Sequence, residues 1–328
     1  MSKLPKIVLL ACCVIAAVYF LLSLVGQIQV SISSDETSEI QHKIVYKTES
    51  EKAFPRAKLT ANAQRGKCKK QLPQAIIAGH LKSGTGALVE FLNEHPQISS
   101  SNIRTDVQFF NKFYVSRGIR WYQSIMPCTF KNQITIEKTA QYFSYPKVAE
   151  RIRTINTTTK IIIILKDPVK VAVSLYAMWR EHKSNHAHEY TFERMISKTN
   201  GTTFEIDPNS KIIKLCSYVQ NMKQWLQVFE RTQVLILDGN SFDDHPAGTL
   251  KDVEKFLNVK HFFDTDHFVF NSTKGKYCFR RWNGKVRCLP EGKGRPHPKL
   301  NANVIQTLTD YYKPMKKILF KVINQTLW

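Results

Sequence analysis

Lys82, Ser83, Gly84, Thr85 and Gly86 are the residues of this chain whose types and spacing point most directly to chemistry. They follow the apolar run Ala75-Ile76-Ile77-Ala78-Gly79 and precede the helical stretch Ala87 to Leu92. A strand, a glycine loop and a helix N-terminus together form an anion cradle, because backbone N–H groups and the helix dipole face the ligand. Lys82 adds a full positive charge. The lysine precedes the Gly-Thr pair instead of following the last glycine, so the order is not that of a Walker A loop and a kinase or GTPase reading fails. A strand-to-helix turn punctuated by glycine is the plainer alternative. A second segment, Lys166-Asp167-Pro168 with Ser174 eight residues after the lysine, also follows an apolar run. Alone, it reads as a helix start.

These segments need a frame to hold them. Ile161 to Leu165 is wholly apolar, as a central parallel strand covered on both faces should be. A further strand is expected over Val234 to Leu237, ending in Asp238-Gly239, and the helix after the first strand should stop before His95-Pro96. Strands alternating with helices imply an α/β fold with a doubly wound, mostly parallel sheet and ligands at the carboxyl ends of the strands. The expected organisation is a cytoplasmic tail (1–6), a transmembrane signal anchor (7–26), a lumenal stem (27–71) and one folded domain (72–328). The last is long enough to bury a substantial core.

Ile7 to Val25 is apolar apart from Ser23 and is preceded by Lys3 and Lys6, with Asp35, Glu36 and Glu39 beyond it. The length suits a membrane-spanning helix, and the positive-inside rule places the rest of the chain in the lumen. A cleaved signal peptide would have a shorter apolar region and small residues before the cut. Sequons at Asn156, Asn200, Asn271 and Asn324 agree with a lumenal glycoprotein. Cys278 and Cys288 flank a basic loop with an Asn-Gly turn and read as a disulfide-closed hairpin. Cys68, Cys128 and Cys216 form an odd remainder, and no cysteine or histidine spacing suggests a metal. Lys and Arg number 48 against 26 Asp and Glu, a net charge of +22 that calls for a polyanionic partner. The expected topology turns that partner away from nucleic acid and toward an anionic polysaccharide.

The order Lys-x-Gly-Thr after a strand resembles the 5′-phosphosulfate loop of sulfotransferases that use 3′-phosphoadenosine 5′-phosphosulfate. Lys166-Asp167-Pro168 with Ser174 resembles their 3′-phosphate site, with lysine in place of the usual arginine. From about Gln74 onward the chain most resembles the heparan sulfate glucosamine 3-O-sulfotransferases. The matches run through Leu92-Asn93-Glu94-His95-Pro96, Gly118-Ile119-Arg120-Trp121-Tyr122, Met126-Pro127, and Glu137-Lys138-Thr139 with Tyr142-Phe143. They continue through Asn271 to Cys278 and Lys293-Gly294-Arg295-Pro296-His297-Pro298.

The resemblance implies a Golgi membrane enzyme that needs no metal and acts on heparan sulfate. It implies donor contacts from Lys82, Ser83, Gly84, Thr85, Gly86, Lys166, Ser174, Tyr277, Lys293, Gly294, Arg295, Pro296 and His297. Asp106 takes the position of the family's base, with Lys82 and Lys138 stabilising the transition state. Asp106, Gln108, Lys138 and Thr139 would face the acceptor. The chain departs from the family at Asp106 (glutamate there), Gln108 (histidine), Asn111 (aspartate) and Gly86 (arginine). Two other readings stay open at this point: a catalytically silent membrane-anchored protein that binds heparan sulfate, and a sulfotransferase for a different glycan.

Overall fold

A computed structural model describes residues 67–101, 106–198, 204–290 and 297–328. The anchor, nearly all of the stem, Asn200 and Lys293 to Pro296 lie outside the described residues. Five strands form the central sheet: β1 (Ala75–Gly79), β2 (Ile98–Ser100), β3 (Ile134–Lys138), β4 (Lys160–Leu165) and β5 (Val234–Asp238). Their order is β2-β3-β1-β4-β5 and every pairing is parallel. The expected α/β sheet is therefore present, with β1 at its centre and β3 and β4 on either side.

Each face of this sheet is sealed by helices. One carries Ile76, Ala78, Ile161, Ile163 and Ile236 against α2 (Val148–Ile155), α4 (Tyr218–Val228) and the end of α7 (Ala302–Ile323). The other carries Ala75, Ile77, Ile136, Ile162 and Ile164 against α1 (Thr85–Leu92) and α6 (Pro246–Leu257). This two-sided burial explains why β4 shows no polar alternation. Each of its isoleucines, removed from water, contributes about 1.5–3 kcal/mol. A separate cluster packs α3 (Pro168–Glu181) on the first half of α7 through Val171, Leu175, Leu308 and Tyr312. The short helix α5 (Gly239–Asp244) follows β5 directly.

A three-stranded antiparallel sheet flanks the domain: β6 (Phe268–Asn271), β7 (Lys276–Arg280) and β8 (Val286–Arg287). The expected disulfide between Cys278 and Cys288 closes the β7–β8 hairpin, and Gly284 of the Asn-Gly turn takes φ 76°. Two cations of this basic segment serve structure. Arg281 makes a forked pair with Glu94, and Arg287 reaches both Glu94 and Glu90, binding the hairpin to the end of α1. At the other end of the domain, Cys68 is bonded to Cys128, and Lys69 and Lys70 pair in an antiparallel ladder with Thr129 and Cys128. The last residues of the expected stem are thus held to the domain. Cys216 remains a buried free thiol.

Candidate active site

The loop after β1 lies at the carboxyl edge of the sheet, where the chain has added strands on both sides of β1. Lys82 has φ 63° and Gly84 φ 107°, turning the backbone toward the first turn of α1. Gly84 caps that helix without a side-chain hydrogen bond, and no acidic residue occupies the first turn. The N-terminal N–H groups and the dipole are therefore left for an anion. Ser83 is completely buried, and its hydroxyl has no hydrogen-bond partner among the described residues. Thr85 is buried and Gly86 partly so. A buried orphan hydroxyl beside an uncapped helix start fits an oxyanion.

Close packing explains Gly239. A Cβ there would lie 2.6 Å from the Ser83 carbonyl oxygen and 2.9 Å from that of Leu165. The glycine after β5 thus lets the anion loop and the end of β4 approach each other.

Strand register sets the charges around the loop. Lys138 pairs in register with Ile77 at the end of β3, and Lys166 follows β4 directly. The two lysines stand on opposite sides of β1. His297 is within electrostatic reach of Lys82, Lys166 and Lys276, and partial burial together with these ammonium groups lowers its pKa. Four cationic or titratable groups from four segments therefore meet at the loop. Tyr277, next to Lys276 on β7, is half-buried and packs its ring on Phe270. Ser174 is half-buried on α3. Asp167 caps α3 by accepting from the N–H groups of Val169 and Lys170, and pairs with Lys316 of α7 at 2.7 Å.

On the Lys138 side, an Asp106 oxygen lies 2.5 Å from the ammonium nitrogen, and the other oxygen accepts from the Ala140 N–H at 3.2 Å. Lys138 is 5 % exposed, whereas Asp106 retains a partly open face. The Gln108 N–H donates to the Thr139 hydroxyl, which donates in turn to Glu137 at 2.6 Å. Gln108 takes φ 56°, and Asn111 donates to Gln141. The buried Thr139 hydroxyl is engaged on both sides, by the Gln108 N–H and by Glu137, so it holds the Gln108 backbone and has no free group for a ligand.

Three charged residues beside the candidate site had no role assigned from the sequence, although Glu137 and Lys276 lie within motifs quoted above. Glu137 is completely buried, and desolvation, then the nearby Asp106 charge, push its pKa up to about 8. Lys276 was legible only as part of a longer motif. Asp243 pairs with both Lys166 and Lys276, and no local signal marks it. Among the sequons, the Asn156 side chain accepts from the Thr158 hydroxyl, Asn271 accepts from the Lys274 N–H, and Asn324 is exposed at the end of α7.

Comparison with known proteins identifies the family and the fold. A family profile described as a sulfotransferase domain matches residues 72–321. The chain is 38 % identical over 251 residues to heparan sulfate glucosamine 3-O-sulfotransferase 3B1 of Homo sapiens, covering 76 % of this chain and 63 % of that protein. It is 35 % identical over 259 residues to heparan sulfate glucosamine 3-O-sulfotransferase 5 of Mus musculus, covering 78 % and 74 %. It thus spans less than two thirds of the length of the 3B1 relative. A sulfotransferase structure from Alicyclobacillus acidocaldarius superposes with a TM-score of 0.60 at 20 % identity, covering 78 % of this chain and 98 % of that one, which establishes the shared fold.

Proposed function

The chain belongs to the sulfotransferase family, among the heparan sulfate glucosamine 3-O-sulfotransferases, and from that premise we propose that it transfers a sulfuryl group from 3′-phosphoadenosine 5′-phosphosulfate to a glucosamine 3-hydroxyl of heparan sulfate. The observation that carries this reading is the meeting of two half-sites across β1. An anion cradle with Lys82, Lys166, Lys276 and His297 adjoins an ion-paired carboxylate, Asp106, at the neighbouring strand end.

The donor supplies an activated sulfuryl group, whose sulfur–oxygen bond to the nucleotide phosphate breaks as the sugar oxygen attacks. The chain's own residues do the rest. The Ser83 to Gly86 backbone and the Ser83 hydroxyl bind the 5′ end of the nucleotide. Lys166 and Ser174 serve the 3′-phosphate, and Tyr277 and His297 flank it. The family resemblance assigns donor contacts to Lys293, Gly294, Arg295 and Pro296 as well, which lie outside the described residues. Asp106 takes the proton of the attacking hydroxyl. Its carboxylate is aimed by two fixed donors, the Lys138 ammonium and the Ala140 N–H, and such positioning of a base is worth about 10²–10⁴ in rate. Lys82 and Lys138 stabilise the charge that develops on the transferring group and on the departing oxygen. Gln108, held by Thr139, offers an amide to the acceptor.

The +22 charge suits a polyanionic acceptor bound through salt-sensitive contacts. The apolar run 7–26 supports a membrane anchor with the domain lumenal, the sequons and disulfides accord with an oxidising lumen, and Golgi residence is inferred from that topology together with the family. The test is transfer of labelled sulfate from the donor to heparan sulfate by the full-length protein. Incorporation that depends on Lys82 is expected; a rate equal to that of Lys82→Ala would contradict the proposal.

A further inference from the structure

The lysine assigned to the 3′-phosphate already holds an anion. The Lys166 ammonium lies 2.5 Å from an Asp243 carboxylate oxygen, and the Lys276 ammonium lies 2.9 Å from the same oxygen. Lys166 follows β4, Lys276 begins β7, and Asp243 sits on α5, so one oxygen bridges cations from two distant segments. The Lys166 side chain is 11 % exposed and that of Asp243 30 %, so the carboxylate is the more accessible partner. Burial lowers the Lys166 pKa against the opposing pull of Asp243, and the two lysines lower that of Asp243.

Accepting the donor reading above, we propose that Asp243 is an internal counter-anion that the nucleotide's 3′-phosphate must displace. A carboxylate brings one negative charge to the two lysines, whereas a phosphate monoester near neutral pH brings about −1.5 to −2 with three acceptor oxygens. A phosphate can restore both lysine contacts when the carboxylate leaves and brings more charge to them. Two consequences follow from this exchange. The exchange weakens the binding of nucleotides carrying a 3′-phosphate and leaves unaffected those without one, which do not disturb the Asp243 bridge. Release of the product, which retains that phosphate, is speeded by recapture of the lysines. Asp243 thus sets how tightly the 3′-phosphate is held and how fast the product leaves, and is not a catalytic residue.

Calorimetric binding of 3′-phosphoadenosine 5′-phosphate and of adenosine 5′-phosphate to full-length wild type, Asp243→Asn and Asp243→Ser tests this. Both variants should bind the 3′-phosphorylated nucleotide about tenfold more tightly, the effect of removing one nearby like charge. Its dissociation should slow to match. Affinity for adenosine 5′-phosphate should not change, which also reports that the variants are folded. Unchanged or weaker binding of the 3′-phosphorylated nucleotide would overturn the proposal and make Asp243 an organiser of the lysines. Equal tightening of both nucleotides would overturn it as well. A wild type that binds neither nucleotide would overturn the donor reading itself, a result distinct from the other two.

Discussion

Asp106 and Lys138, 32 residues apart in the chain, meet through a 2.5 Å contact between a carboxylate oxygen and an ammonium nitrogen. The pairing has two effects on a base. It fixes the orientation of the carboxylate, and in the proposed reaction it places a cation beside the charge that develops during transfer. The aspartate is one methylene shorter than the glutamate of the related enzymes. In this chain the shorter arm is held by donors on both oxygens, the Lys138 ammonium and the Ala140 N–H.

Replacing Asp106 by Asn should therefore separate binding from turnover. The amide keeps the shape but cannot accept the proton, so kcat should fall about 10²–10⁴-fold. The nucleotide Kd should stay at the wild-type value, because the donor contacts lie across β1. Calorimetry beside single-turnover kinetics checks the split. A parallel loss of nucleotide binding would place Asp106 in the donor site instead.

Gly239 and Gly248 make a matched pair. A methyl group at Gly239 meets the Ser83 and Leu165 carbonyl oxygens at 2.6 and 2.9 Å, whereas one at Gly248 meets nothing within 4 Å. Gly239→Ala should cost about 1–3 kcal/mol through overpacking and weaken nucleotide binding by displacing the loop. Gly248→Ala, in the first turn of α6, should stabilise by about 0.5–1 kcal/mol. Thermal melts with and without nucleotide read both effects.

Glu137 imposes a pH dependence of known sign. Its pKa in the folded protein, about 8, lies above the ordinary carboxylate value of 4.5, so the folded state holds the proton more tightly. The stability it contributes is complete below pH 4.5 and is lost as pH rises through 8. Buried His80 works in the opposite sense, since desolvation lowers its pKa to about 4 and its contribution is lost as pH falls below 6.5. Between pH 6.5 and 8.5, melting temperatures of the wild type should fall relative to those of Glu137→Gln. Parallel curves would show that Glu137 is ionised throughout.

The residues buried from both sides were the legible ones. Strands β1 and β4 announce themselves because every position must be apolar, and the anion loop is marked by glycines that its backbone requires. Strand β2 is three residues long and two are serines, whose polarity hides a fully buried element. The Cys68–Cys128 bond spans 60 residues and pairs two of three unassigned cysteines, a connectivity that spacing does not encode. Asp243 was out of reach for a related reason. Its partner Lys166 is 77 residues away, and only the parallel order of β4 and β5 brings them together.

The most direct test of the central claim is the position of newly added sulfate. Full-length wild type and Asp106→Asn would be given heparan sulfate and isotope-labelled 3′-phosphoadenosine 5′-phosphosulfate, and the digested products mapped residue by residue. The account predicts label on the glucosamine 3-hydroxyl with the wild type and near-complete loss of it with Asp106→Asn. Label at another hydroxyl, or equal labelling by the two proteins, would contradict it.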